Sequence, residues 1–153
     1  MAATETAVSK ALGSFTTQTG VKIEQGRGHK SKQFTIDHSD FTKSSATGYL
    51  TLPGQLPAGA TVVSWEALIA EAFVGDTTGT LEVGISGDRD DYNGSTDPSV
   101  YQAAGTRIGS MSGSNDTTGQ KCFCATATTV YLTITGAADW DNVTAGKLIF
   151  TIH

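Results

Sequence analysis

Val62-Val-Ser-Trp65-Glu-Ala-Leu-Ile69-Ala-Glu-Ala-Phe73-Val-Gly75 fits either a helix or a strand, and the choice decides the fold. At helical spacing Trp65, Leu68, Ile69, Ala72 and Phe73 share one face, with Ser64 as N-cap and Gly75 as the stop. At strand spacing Val63, Trp65, Ala67, Ile69 and Phe73 point inward, and Glu71 is the exception. The neighbours favour the strand. Val62-Val63 is a β-branched start, and Gly75-Asp-Thr-Thr-Gly79 reads as a hairpin turn leading into Thr80–Ile85. There Leu81, Val83 and Ile85 take one face and Glu82 and Gly84 the other.

Outward from this hairpin the same alphabet continues. Strands are expected at Val21–Glu24, Gln33–Asp37, Gly48–Leu52, Gln120–Thr126, Thr129–Thr135 and Gly146–Ile152, separated by Gly, Asp, Asn and Pro clusters. In Thr129–Thr135, Val130, Leu132 and Ile134 share a face, opposite Tyr131, Thr133 and Thr135. Leu148, Phe150 and Ile152 do the same in the last run, which ties the chain's end into a sheet. Residues 1–20 are polar and weakly patterned, an N-terminal arm with one short helical turn around Val8–Leu12. The expected architecture is an all-β domain over residues 21–153, an antiparallel β-sandwich of about eight strands with a jelly-roll-like topology.

Composition agrees. Only 16% of the 153 residues are charged, against a usual share of about 25%, and Thr, Ser and 18 glycines fill the gap. A chain of this length buries roughly two-thirds of its unfolded surface, enough to fold without metal or disulfide staples. The formal net charge of −5 argues against a nucleic-acid binder. Residues 1–50 carry six Lys and Arg against four Asp and Glu, and residues 51–153 carry four against eleven. The start has neither a basic nor an apolar targeting region, and no apolar run is long enough for a membrane helix, so a soluble protein made in a cytosol is expected.

Candidate chemistry is sparse. Cys122 and Cys124 would project from one strand face about 7 Å apart, too far for an easy disulfide, and no His nearby completes a zinc site; both read as buried free thiols. His29, His38 and His153 sit in unrelated contexts, and no hydrolase, zincin or phosphate-loop motif occurs, so no catalytic residue, cofactor or metal is expected. The turn Gly87-Asp88-Arg-Asp90-Asp91-Tyr92-Asn93-Gly94-Ser-Thr-Asp97 is an ordinary surface turn or a calcium loop using Asp88, Asp90, Asn93 and Asp97; it departs from the EF-hand spacing at Tyr92. Trp65, Tyr92, Tyr101, Tyr131 and Trp140 are core residues or the stacking platforms of a lectin. Arg27, His29, Lys30 and Lys32 form the densest basic patch, either a solvated loop or a docking surface for an acidic protein.

Ala70-Glu-Ala-Phe73-Val-Gly75, Gly79-Thr-Leu81-Glu-Val83-Gly84-Ile85 with the turn up to Tyr92, and the close Thr128–Gly136 with Ala145-Gly146-Lys147 through Ile152 resemble small virion proteins of tailed bacteriophages. The resemblance spans residues from about 60 to 153. It implies a head decoration, or cement, protein that binds the outside of the capsid and stabilises it. Its partners would be the major capsid protein and itself, as a homotrimer, with no enzyme activity, nucleic acid or membrane involved. Arg27, His29, Lys30 and Lys32 would then be capsid contacts. The alternative is a carbohydrate- or receptor-binding module of a phage fibre or tail.

Overall fold

The computed structural model describes residues 15–16, 22–23, 30–93, 97–111 and 123–153. Contacts divide the chain into two units, Met1–Ser31 and Lys32–His153. In the first, strands β1 (Phe15–Thr16) and β2 (Lys22–Ile23) pair antiparallel, Phe15 opposite Ile23. The helical turn expected at Val8–Leu12 lies outside the described residues.

The second unit carries eight strands among its described residues: β3 (Lys32–Asp37), β4 (Thr42–Ser44), β5 (Thr47–Thr51), β6 (Ser64–Val74), β7 (Gly79–Gly84), β8 (Arg107–Met111), β9 (Tyr131–Gly136) and β10 (Ala145–Ile152). They form two antiparallel four-stranded sheets, ordered β4-β5-β9-β7 and β3-β10-β6-β8. The chain is an all-β sandwich. Ala67, Ile69, Leu81, Val83, Leu132, Ile134, Leu148 and Phe150 are each 0% exposed and belong to one hydrophobic core. Each large side chain contributes about 1.5–3 kcal/mol by leaving water. The buried Trp140 indole meets Phe41 in a tilted contact at 5.4 Å and lies against Gly48, where a Cβ would come within 2.7 Å of the ring.

The Val62–Gly75 segment therefore forms a strand, over Ser64–Val74; one detail corrects the expected pattern, and another explains its exception, Glu71. Val63, expected inside, is 39% exposed, while Val62 is buried. Val63 donates to the His153 carbonyl at 2.9 Å while Ser64 accepts from the His153 N–H at 2.9 Å, so two residues oppose one and the alternation does not run back through Val63. Glu71 falls outward because one step of β10, Leu148 to Lys147, spans two residues of β6, Ile69 to Glu71. That bulge shifts the parity and puts Glu71 beside Lys147, with 3.9 Å between Oε2 and Nζ.

Two further expectations change, and one on Cys124 holds. No strand forms over the described part of Gln120–Thr126: Phe123 and Thr128 make isolated bridges to Thr61 and Leu56. Cys124 is a buried free thiol whose Sγ lies 3.9 Å from the Tyr92 hydroxyl, and Cys122 lies outside the described residues. Strands β1, β4 and β8 are additions to the expected set. The outer edge of β7 is covered by the chain that follows it: Tyr92 donates to the Val83 carbonyl, Leu81 to Pro98, and Val100 to Gly79.

Candidate functional site

The turn after β7 is folded back onto its own sheet. Ile85 and Asp88 exchange backbone hydrogen bonds of 2.8 and 3.2 Å, and the Asp88 carbonyl and Arg89 backbone settle over Gly84, where any Cβ would collide with both. Gly84 is opposite Tyr131 on β9. The missing side chain thus opens a path for Arg89 across the outer face. Its guanidinium carbon sits 4.3 Å from the centroid of the Tyr131 ring and 5.7 Å from that of Tyr49.

Asn93 anchors the turn from below. It is 0% exposed; its Oδ1 accepts from the Val83 N–H at 3.0 Å, and its Nδ2 donates to the Leu81 carbonyl at 2.8 Å and to Asp97 Oδ1 at 2.6 Å. The side chain acts as one more strand residue on the β7 edge. Trp65 Nε1 donates to the Tyr92 carbonyl at 2.8 Å, tying the turn to the core.

Charge is unbalanced here. Burial first, then the negative Asp97 and Asp90, raises the Glu82 carboxyl above its ordinary value, with Arg89 pulling the other way. Asp90 is also raised, chiefly by its hydrogen bond with Asp88 and by burial. Thr133, between Tyr49 and Glu82 in register, is 3% exposed, and its hydroxyl has no hydrogen-bond partner among the described residues; the same holds for the enclosed Nη1 of Arg89. A cation over an aromatic ring gains about 0.5–2 kcal/mol, and a buried donor left unpaired costs about 1–3 kcal/mol. The unpaired Nη1 therefore offsets part of the attraction that the two rings and Glu82 exert on Arg89.

The residues singled out from sequence fall as follows. Arg27 and His29 lie outside the described residues. Lys30 is exposed, and Lys32 opens β3 with its ammonium donating to the Gln55 carbonyl at 2.8 Å, a stitch to the loop after β5. Of the proposed calcium ligands, Asn93 is occupied by the β7 backbone, and among the described residues no three acidic, His or Cys groups converge as a metal site would need. His38 and His153 flank opposite ends of the β3–β10 ladder, which runs from Asp37 opposite Lys147 to Lys32 opposite Ile152. Trp65, Trp140 and Tyr92 are buried, Tyr101 leans on Phe73 at 6.0 Å, and Tyr131 lies under Arg89.

The chain matches no family model, no curated protein and no solved structure. Function is therefore read from its own residues.

Sequence reasoning misses Tyr49 and Arg89. The outward set Tyr131, Thr133 and Thr135 is legible, but its partners depend on β9 pairing with β5 and β7, a long-range choice that no local spacing encodes.

Proposed function

We propose that this protein is a structural virion component that binds the outside of a phage capsid and stabilises the shell, as a homotrimer. One observation carries the reading. The separate stretches that resemble phage virion proteins position one another: Phe73, ending the first, packs where Gly146, opening the last, has no side chain, and a Cβ there would lie 2.5 Å from the ring. The Gly146 backbone has φ +144, accessible mainly to glycine, so this packing constrains both segments. A jelly-roll topology is supported by the strand orders, once residues 98–100 are counted as the strand lying against β7.

A ligand that binds only the assembled shell stabilises it by mass action, and many weak copies sum over the particle. A closed trimer also covers sheet edges that would otherwise invite uncontrolled pairing. The test is an electron cryomicroscopy map of particles from the source. Density for this sandwich at local three-fold positions outside the shell supports the reading; density confined to a tail or fibre overturns it.

A further inference from the structure

We propose that the outer face of the β4-β5-β9-β7 sheet binds a neutral saccharide between Tyr49, Arg89 and Glu82, with the Thr133 hydroxyl at the closed end of the site. Tyr49 is 37% exposed and supplies a ring face for the apolar side of a sugar. Beside it, the Thr133 hydroxyl and Arg89 Nη1 are enclosed without hydrogen-bond partners among the described residues. Buried polar groups left open in this way call for a partner, and a sugar hydroxyl, which both donates and accepts, suits a threonine hydroxyl and a guanidinium N–H together. Glu82, half-buried next to Thr133 in the ladder, supplies an acceptor at the rim.

Charge selects the ligand class. Asp90 and Asp97 reinforce the negative field at Glu82 and Arg89 alone opposes it, so an anionic ligand meets repulsion. A cationic ligand would have to expel Arg89 from Tyr131. A neutral polyol does neither, and the half-exposed Arg89 side chain can adjust around it.

The site is independent of capsid attachment, and the two claims fail separately. The experiment is an amide-resonance titration of the ¹⁵N-labelled full chain with methyl glucoside, methyl galactoside and N-acetylglucosamine, with glucuronate and free arginine as charged controls. The expected result is saturable, millimolar shifts at Tyr49, Glu82, Tyr131 and Thr133 with a neutral sugar and with neither control. Thr133→Val keeps the side-chain shape and should weaken binding roughly tenfold, as loss of one hydrogen bond at a buried site implies. Arg107→Ala, on the other sheet, should bind like the parent. The proposal is overturned if no neutral sugar shifts these amides, if Thr133→Val binds as well as the parent, or if arginine alone shifts them.

Discussion

On the outer face of the β3-β10-β6-β8 sheet, Thr35, Ile149 and Leu68 form one row across three strands, flanked by Arg107–Glu66 at 2.8 Å and Lys147–Asp37 at 3.7 Å. On the outer face of the β4-β5-β9-β7 sheet, a folded-back turn lays one arginine over two tyrosines and crowds Glu82 with Asp90 and Asp97. The first face is neutralised locally, with Thr35 exposed and Leu68 and Ile149 half-buried. The second gathers unbalanced charge and two enclosed polar atoms, Thr133 Oγ1 and Arg89 Nη1, without hydrogen-bond partners among the described residues. Two sheets with the same period-2 alphabet thus differ in what their loops bring back to them.

The sharpest way to break this contrast is at Gly84. Gly84→Val forces the Asp88–Arg89 backbone off the sheet and should destabilise the fold by about 3 kcal/mol, the upper range for overpacking. Thr35→Val on the opposite face should stay within about 0.5 kcal/mol. Urea unfolding of both variants measures the difference, and equal costs would mean the turn does not rest on Gly84.

Acid should separate the faces next. Glu82 and Asp90 have folded values above the ordinary 4.5 and 3.8, so the folded chain takes up protons first and gains stability as pH falls from neutral into mild acid. The opposite sign holds for Asp37, lowered chiefly by the Ser39 N–H, and for Asp76, lowered chiefly by the Ala138 N–H at 2.9 Å. Their stabilisation is complete above the ordinary 3.8 and is lost as pH falls through their lower folded values. Denaturation across a pH series should therefore show stability rising and then falling. Glu82→Gln should flatten the rise, and Asp76→Asn should soften the fall; a monotonic decline from pH ~7 in the parent contradicts the assignment.

The smallest effect is expected at Arg89. Arg89→Met should cost about 1 kcal/mol, because losing the attraction to the tyrosine rings and to Glu82 is partly offset by removing the unpaired donor. Arg107→Ala, removing an exposed ion pair, should cost about 0–1 kcal/mol. The two differ in near-ultraviolet circular dichroism, where only Arg89→Met should alter the tyrosine signal. A large loss of stability in Arg89→Met would show that the arginine is structural.

The sandwich is legible in the sequence wherever burial imposes a period. Leu81/Val83, Leu132/Ile134 and Leu148/Phe150 each announce an inner face, and each pair is fully buried. Strand β4 is not legible, because all three of its residues are exposed and nothing fixes an alternation. Glu71 looks like an error in a strand because a bulge inserts a residue that only the β10 register reveals. The candidate site is harder still. Its turn is visible as an Asp-rich run, but the turn's direction follows from Gly84 lying beneath it, and the meeting of Arg89 with Tyr49 follows from strand order.

In the proposed function the chain attaches to a capsid, with the net-positive residues 1–50 as the docking region. Co-sedimentation with capsids from the source, for the parent and for a variant with Arg27→Ala, Lys30→Ala and Lys32→Gln, tests it directly; glutamine at residue 32 retains a donor for the Gln55 carbonyl. The parent should pellet to a fixed saturating ratio. The variant should pellet less, most clearly at low salt, since screening over about 10 Å at 0.1 M mutes such contacts. Equal pelleting by the variant at both salts would move the docking face elsewhere on the chain, and a parent that stays in the supernatant at every concentration would contradict the capsid reading itself.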